Sequence, residues 1–444
     1  MHKKILVFIF FMIPFLLPPS TFGQLHPYIK APDQAYTWKK VSSKNLESGA
    51  VVYELRLISQ TWQGIEWNHL LQIIKPSEVK SRQPFVLFFI LGSEKQQTAI
   101  AFGHKLAQAV GSYVAIVHDI PNQPLFGGLR EDDLIAYTFL KCLETKDNTW
   151  PLLFPMVKAA VRAMDAAEAF VQDEFHTRVS GFVVSGASKR GWTTWLTPAV
   201  DKRVKGIIPV VYDNLNLQKQ MELHKEAWGS FSHEISAYDK QGLPQLLLSG
   251  DKNAANLASM VDPFTYIDKI TVPKLIVIGT NDPYWPLGAL NIYESALVGQ
   301  HYILYLPNTG HTFEPSTPPW IDDITVFFQK ISGQTELPEL SWQLQDLPDA
   351  FKLSIVSDRS PQHVKGWLAL SKTMDFREAV WVAFPMDKEG QVYSFTHQKP
   401  AVGTAAVFAE AIYDVDGRPF TLTTKVWIFE GADLTNRELK GKKP

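Results

Sequence analysis

Cysteine is almost missing: Cys142 is the only one in 444 residues. A lone thiol forms no internal disulfide, so the fold must be held by core packing, and Cys142, in an amphipathic helical stretch, reads as a buried small hydrophobe. There is no H-E-x-x-H and no His/carboxylate cluster at ligand spacing, which leaves no metal site to assign. No G-x-x-x-x-G-K-[ST] loop is present, so neither a phosphate cradle nor any cofactor is implied. Charge of one sign is lacking as well. Lys and Arg number 43 against 45 Asp and Glu, a net charge of −2, and the basic residues are scattered, which argues against a nucleic-acid partner.

Apolar and aromatic residues are plentiful, at 45% and 12%, enough for a large packed core. At about 150–200 residues per domain the length predicts two or three units. The N-terminus reads as a signal peptide over residues 1–23: Lys3 and Lys4, an apolar run Ile5 to Leu17, then Ser20, Thr21 and Gly23 before Gln24. The alternative is an uncleaved anchor, but about 13 apolar residues interrupted by Pro14 fall short of the ~20 that span a bilayer. No cysteine follows the run to take a lipid. The expected product is therefore exported, with no stable membrane span after cleavage. Whether it ends in a periplasm or outside the cell, and its oligomeric state, are open.

From residue 51 the pattern predicts an opening hairpin (51–58 and 62–74, turning at Gln63-Gly64). A βαβ unit follows, from apolar runs Phe85 to Leu91 and Tyr113 to His118 around a helix over 96–110. Helices are expected over 129–143 and 155–175, then strand 179–185, a serine turn and a helix over 192–200. Further buried strands are expected at 204–211, 274–280 and 302–306, then a helix over 321–331. Continuous apolar strands alternating with helices indicate an α/β fold, a doubly wound and mostly parallel sheet of α/β-hydrolase type, over residues 24–335. The alternation lapses at 212–271, an insertion expected to cap the site. Over 336–444 short alternating runs (351–356, 364–370, 379–384, 423–429) with turns at 387–390 and Asp416-Gly417 predict a β-sandwich-like accessory domain. It carries no catalytic constellation and is expected to buttress the enzyme or contact a partner.

A serine hydroxyl attacks only when a base takes its proton, so acyl transfer needs Ser, His and usually a carboxylate brought together. On an α/β-hydrolase sheet they arrive in the order Ser, Asp or Glu, His at successive strand ends. Ser188, Asp282 and His311 satisfy this order: Ser188 in Gly186-Ala187-Ser188-Lys189-Arg190-Gly191, Asp282 in Gly279-Thr280-Asn281-Asp282, and His311 in the glycine-containing loop after the last strand. The turn departs from G-x-S-x-G, since Arg190 occupies the second glycine's place and Gly191 follows it. His104, His118, His224, His233 and His301 are rivals for the base, and Asp213 and Asp251 for the acid. Asp213 could instead cap a helix or line the pocket. The oxyanion is assigned to the Lys189 N–H and to Gly92 or Ser93 in the loop after strand 85–91. Lys189 and Arg190 are either solvated charges at a helix start, where positive charge is unfavourable, or one of them faces the site, helping the oxyanion or binding an acidic substrate group. Arg190, Asp213, Trp228 and Trp285 are the candidate substrate contacts; of the tryptophans near the site in sequence, which also include Trp150, Trp192 and Trp195, most are expected in the core, with one or two lining a pocket for a sugar or aromatic substrate.

The run Gly186 to Trp192, the segment Trp150 to Asp165, Asp213-Asn214-Leu215-Asn216 and Gly279 to Asp282 together resemble the PhoPQ-activated pathogenicity-related protein family. The resemblance extends over most of the exported chain. It implies an α/β-hydrolase core with a C-terminal β domain and a link to bacterial virulence regulation, and brings no settled substrate. The serine turn is also similar to that of glucuronoyl esterases, where a basic residue follows the serine, which brings a carboxylated ester into consideration. The function expected is serine ester hydrolysis of a small-molecule, carbohydrate or peptide ester. A serine peptidase of the same fold, or a secreted signalling or binding protein with a weak or unused triad, are the alternatives.

Overall fold

The computed structural model describes residues 24–93, 96–312 and 320–431; the expected signal peptide at 1–23 lies outside them. A nine-stranded mixed sheet runs β1 (Thr37–Asn45), β2 (Val51–Trp62), β3 (Ile65–Lys75), β4 (Phe85–Ile90), β5 (Tyr113–Val117), β6 (Gly181–Ala187), β7 (Val204–Val210), β8 (Lys274–Gly279) and β9 (His301–Leu306), in the spatial order β1-β2-β3-β5-β4-β6-β7-β8-β9. From β5 through β4 to β9 every neighbour is parallel, and β1, β2, β3 and β5 pair antiparallel. Chemistry follows position. β5 and β8 are buried throughout, as apolar strands covered on both faces must be. β1 is almost wholly exposed and carries Lys39, Lys40 and Lys44 at the open edge, where charge discourages pairing with another chain. With no apolar alternation, β1 gave the sequence reading nothing to detect.

The helices are α1 (Leu25–Lys30), α2 (Gln96–Val110), α3 (Glu131–Thr145), α4 (Leu153–Phe175), α5 (Lys189–Leu196), α6 (Leu217–Trp228), α7 (Ser236–Asp239), α8 (Leu243–Leu248), α9 (Lys252–Val261) and α10 (Trp320–Ile331). α2 and α10 contribute to the core on one face of the sheet, and α3, α4 and α5 to the core on the other. Cys142 is free and buried on α3, and burial pushes its thiol up to about 11, an unreactive setting. The segment read as irregular at 212–271 is largely helical, forming α6 to α9 and a 3-10 helix at Pro263–Lys269. Only α7 and α8, at 4 and 6 residues, carry too few turns for a helical period, and side-chain caps from Asp251 and Asp262 mark the starts of α9 and of the 3-10 helix.

Beyond α10 two antiparallel sheets of four and five strands meet through Phe351 on Phe429 and Phe384 on Phe395. The five-stranded sheet docks beside β9, where Thr423 Oγ1 accepts from Tyr305 N at 3.0 Å, and on α10, where Asp323 accepts from Thr421 N at 2.7 Å. The strand expected at 379–384 begins only at Val382; the residues before it form a loop that reaches Asn281 and Asn308. Among the described residues no helix is long and apolar enough to cross a membrane.

Candidate active site

Ser188 sits between β6 and α5 with φ 55° and ψ −124°, a strained left-handed conformation that lifts its side chain out of the strand-to-helix turn. The off-pattern glycines have steric causes. A Cβ on Gly186 would stand 2.7 Å from the Arg190 carbonyl oxygen, and one on Gly191 would stand 2.8 Å from Tyr212 Cβ and 2.9 Å from the Val210 oxygen. The second glycine is therefore needed where α5 presses on β7, one place later than the common motif puts it.

His311 Nε2 and Ser188 Oγ lie 2.8 Å apart, and His311 Nδ1 lies 2.8 Å from Asp282 Oδ2. The other Asp282 oxygen accepts from Tyr284 N at 2.8 Å, so both carboxylate oxygens are held and the acid is fixed against the ring. Tyr284 also stacks on His311, with centroids 4.1 Å apart. Asp282 is buried, while Ser188 and His311 are partly open. No other histidine among the described residues is hydrogen-bonded to Ser188; His118, for instance, pairs with Gln72 Oε1.

The basic pair after Ser188 meets an acidic pair at the start of α3. Arg190 makes a two-point ion pair with Glu131, at 2.8 and 2.7 Å, and donates Nε to the Ile120 carbonyl at 2.6 Å. Burial alone would raise the Glu131 carboxyl, but the hydrogen bonds and charge of Arg190, helped by Gln123 and Lys189, hold it at about 2. Lys189 Nζ lies 2.9 Å from Asp132 and 3.6 Å from Glu131. The unfavourable positive helix start is thereby compensated from a neighbouring element.

A cleft opens beside Ser188. Lys189 and Trp285 line it; Arg190, Asp213, Trp228, Gly92 and Ser93 do not. Arg190, expected to bind substrate, lies outside the cleft, where its guanidinium donates to Glu131 and Ile120. Its guanidinium fills the space beside Gly92, where a Cβ would lie 2.3 Å from Nη2. Asp213 is buried behind the site, accepting from Tyr293 OH at 2.8 Å, and burial raises its carboxyl to about 7. Trp228 packs on His224 and under the Arg377 guanidinium. Ser93 is exposed at the end of β4. Residues the sequence reading did not single out are Tyr284, Glu131 and Asp132, together with Asn281 and Asn308. The run Glu131-Asp132-Asp133 in the first turn of a helix, set against the only basic pair at a serine turn, was the available signal. No cluster of three or more His, Cys, Asp or Glu side chains able to hold a metal occurs among the described residues.

The chain is similar to the autocrine proliferation repressor protein A of Dictyostelium discoideum, 29% identical over 431 residues that cover 88% of this chain and 85% of that one. Remote similarity extends to solved acetyl xylan esterases. The enzyme from Thermoanaerobacterium sp. JW/SL YS485 is 14% identical with TM-score 0.47, covering 67% of this chain and 88% of that one. The enzyme from Paenibacillus sp. R4 is 15% identical with TM-score 0.47, covering 69% and 90%. The model for PhoPQ-activated pathogenicity-related proteins matches residues 25–377, most of the chain and the whole of the serine, acid and histidine loops, and the protein belongs to that family.

Proposed function

We propose that this protein is an exported serine hydrolase of α/β-hydrolase type that cleaves carboxylic esters. The observation that carries the reading is the chain of two 2.8 Å contacts from Ser188 through His311 to Asp282, with Ser188 on a strained turn at the end of a central parallel strand. His311 Nε2 takes the Ser188 proton as Oγ attacks the ester carbonyl. Asp282 fixes the Nδ1–H tautomer and stabilises the imidazolium. The Lys189 N–H, in the first turn of α5 where no intrahelical acceptor exists, supplies one oxyanion donor, and the chain after β4 at Gly92 and Ser93 supplies the other. The alcohol leaves with the proton from His311, and water activated by the same histidine releases the acid.

A fluorophosphonate probe tests this: it is expected to label the mature protein at Ser188, and the Ser188→Ala protein is expected to fold, lose the label and lose at least about a thousandfold of its ester turnover. Turnover retained by Ser188→Ala would overturn the assignment. The second reading, a secreted signalling protein with an unused triad, draws on the name of the Dictyostelium relative, and a folded protein in which Ser188 stays unlabelled would favour it.

A further inference from the structure

The wall of the cleft is sharply divided. Next to Ser188 it carries two ionised groups, Lys189 and Asp132, and these satisfy each other at 2.9 Å. Asp132 also accepts from Tyr238 OH at 2.9 Å, and the remaining nearby charges, Arg190 and Glu131, form their own two-point pair. The basic elbow therefore has no spare cation for a substrate carboxylate. Away from the serine the wall is mostly carbon, with Phe139 from α3, Trp192 from α5, Met221 from α6, Leu247 from α8, and Leu257 and Val261 from α9, and its few polar members there are Tyr212, Asn214 and Tyr238. Trp192 donates its indole N–H to the Val261 carbonyl at 2.6 Å, which ties α5 to the end of α9. A cleft lined mostly by hydrocarbon gains affinity by removing apolar ligand surface from water, and it penalises any ligand charge or hydroxyl it cannot pair.

We infer that the ester cleaved at Ser188 carries an uncharged, extended apolar group that lies in this cleft between the serine and α6 to α9. The inference rests on the hydrolase reading and deepens it. It replaces the carboxylated or sugar-like substrate suggested by the basic elbow, because those charges are internally neutralised and the wall offers a sugar's hydroxyls few partners. The apolar group can belong to the acyl or to the alcohol half of the ester. The two share one chemistry and are separated by experiment.

The test measures kcat/KM for two series: 4-nitrophenyl esters from acetate to octanoate, and alkyl acetates from methyl to octyl, with fluorophosphonate labelling of Ser188 as a parallel readout. Each methylene buried is worth up to about fourfold in kcat/KM, so one series is expected to rise by about thirtyfold or more from its shortest to its longest member, and that series identifies the half in the cleft. Methyl glucuronate is expected to be a poorer substrate than the longest ester. Leu247→Glu, at a partly exposed position of the wall, is expected to abolish the rise. Flat or falling series, a uronate preferred over octanoate, or a rise that survives Leu247→Glu would each overturn the inference while Ser188 still labels. Failure of Ser188 to label would instead remove the hydrolase reading beneath it.

Discussion

Asn281 holds Ala379: its side-chain Nδ2 donates to the Ala379 carbonyl at 2.8 Å, and the Phe376 and Arg377 carbonyls stand 3.1 Å from the same nitrogen. Asn281 directly precedes Asp282. A second asparagine, Asn308, three residues before His311, exchanges two hydrogen bonds with the backbone of Trp381, at 3.0 and 2.8 Å. One loop from the C-terminal sheets is thus pinned to both the acid loop and the base loop. Phe376 and Trp381, buried at its two ends, anchor it.

Asn281→Ala is therefore expected to act on catalysis by displacing Asp282, although Asn281 itself touches neither Ser188 nor His311. Losing these hydrogen bonds should cost about 1–3 kcal/mol of stability, and kcat should fall by about tenfold with KM little changed, because the cleft wall is untouched. Steady-state kinetics on an ester the enzyme turns over, with urea unfolding of the same variant, separates the two effects. A loss confined to stability would leave the loop a structural dock only.

Arg190 gives the second prediction. Glu131, held near 2 by Arg190, has a depressed carboxyl, so their pairing adds stability above the ordinary carboxylate value of 4.5 and loses it as pH falls toward 2. Arg190→Met should destabilise the protein at pH 7 by about 2 kcal/mol, the low end for a hydrogen-bonded charge because Glu131 is partly exposed. The gap to wild type should narrow at pH 3. Arg190→Lys should recover little, since a single ammonium cannot reproduce the fork on Glu131 and the bond to Ile120. Urea midpoints at the two pH values measure this, and an equal gap at both would disprove the role given to Glu131.

Much of the fold was legible because burial on two faces leaves continuous apolar runs: the strands ending before Ser188, Asp282 and His311 could be placed from those runs alone. Ser188, Asp282 and His311 could also be picked out, since each follows such a strand in the chain order that a hydrolase sheet imposes. What was hidden depends on pairs far apart in sequence. Arg190 kept two readings because its partner Glu131 lies 59 residues away, and Asn281 was not singled out because its partners come 95 to 98 residues later. Of the helices over 212–271, α7 and α8 are four and six residues long and leave almost no periodic trace, whereas α6 and α9, at 12 and 10 residues, were long enough to show one and were missed. Trp228 was placed with Trp285 among the candidate substrate contacts, but in space Arg377 lies over it and it does not line the cleft.

Asp213 supplies a prediction about pH. It is fully buried, and burial is the largest cause of its rise from 3.8 to about 7, with the charge of Asp282 adding to it and the hydrogen bond from Tyr293 opposing it. Between those two values the folded chain keeps a proton that the unfolded chain releases, so folding becomes less favourable as pH rises from about 4 to 7 and levels off above. Asp262, raised to about 6 by burial, works in the same direction, so the slope belongs to more than one group. Asp213→Asn removes one titration and keeps an acceptor for Tyr293, so the melting temperature of the variant should fall less than that of wild type between pH 5 and 8. The difference between the two curves should grow through this window and stay constant beyond it. Parallel curves would mean that Asp213 is ionised in the folded protein throughout the range, and that the Tyr293 hydroxyl suffices to hold a buried carboxylate.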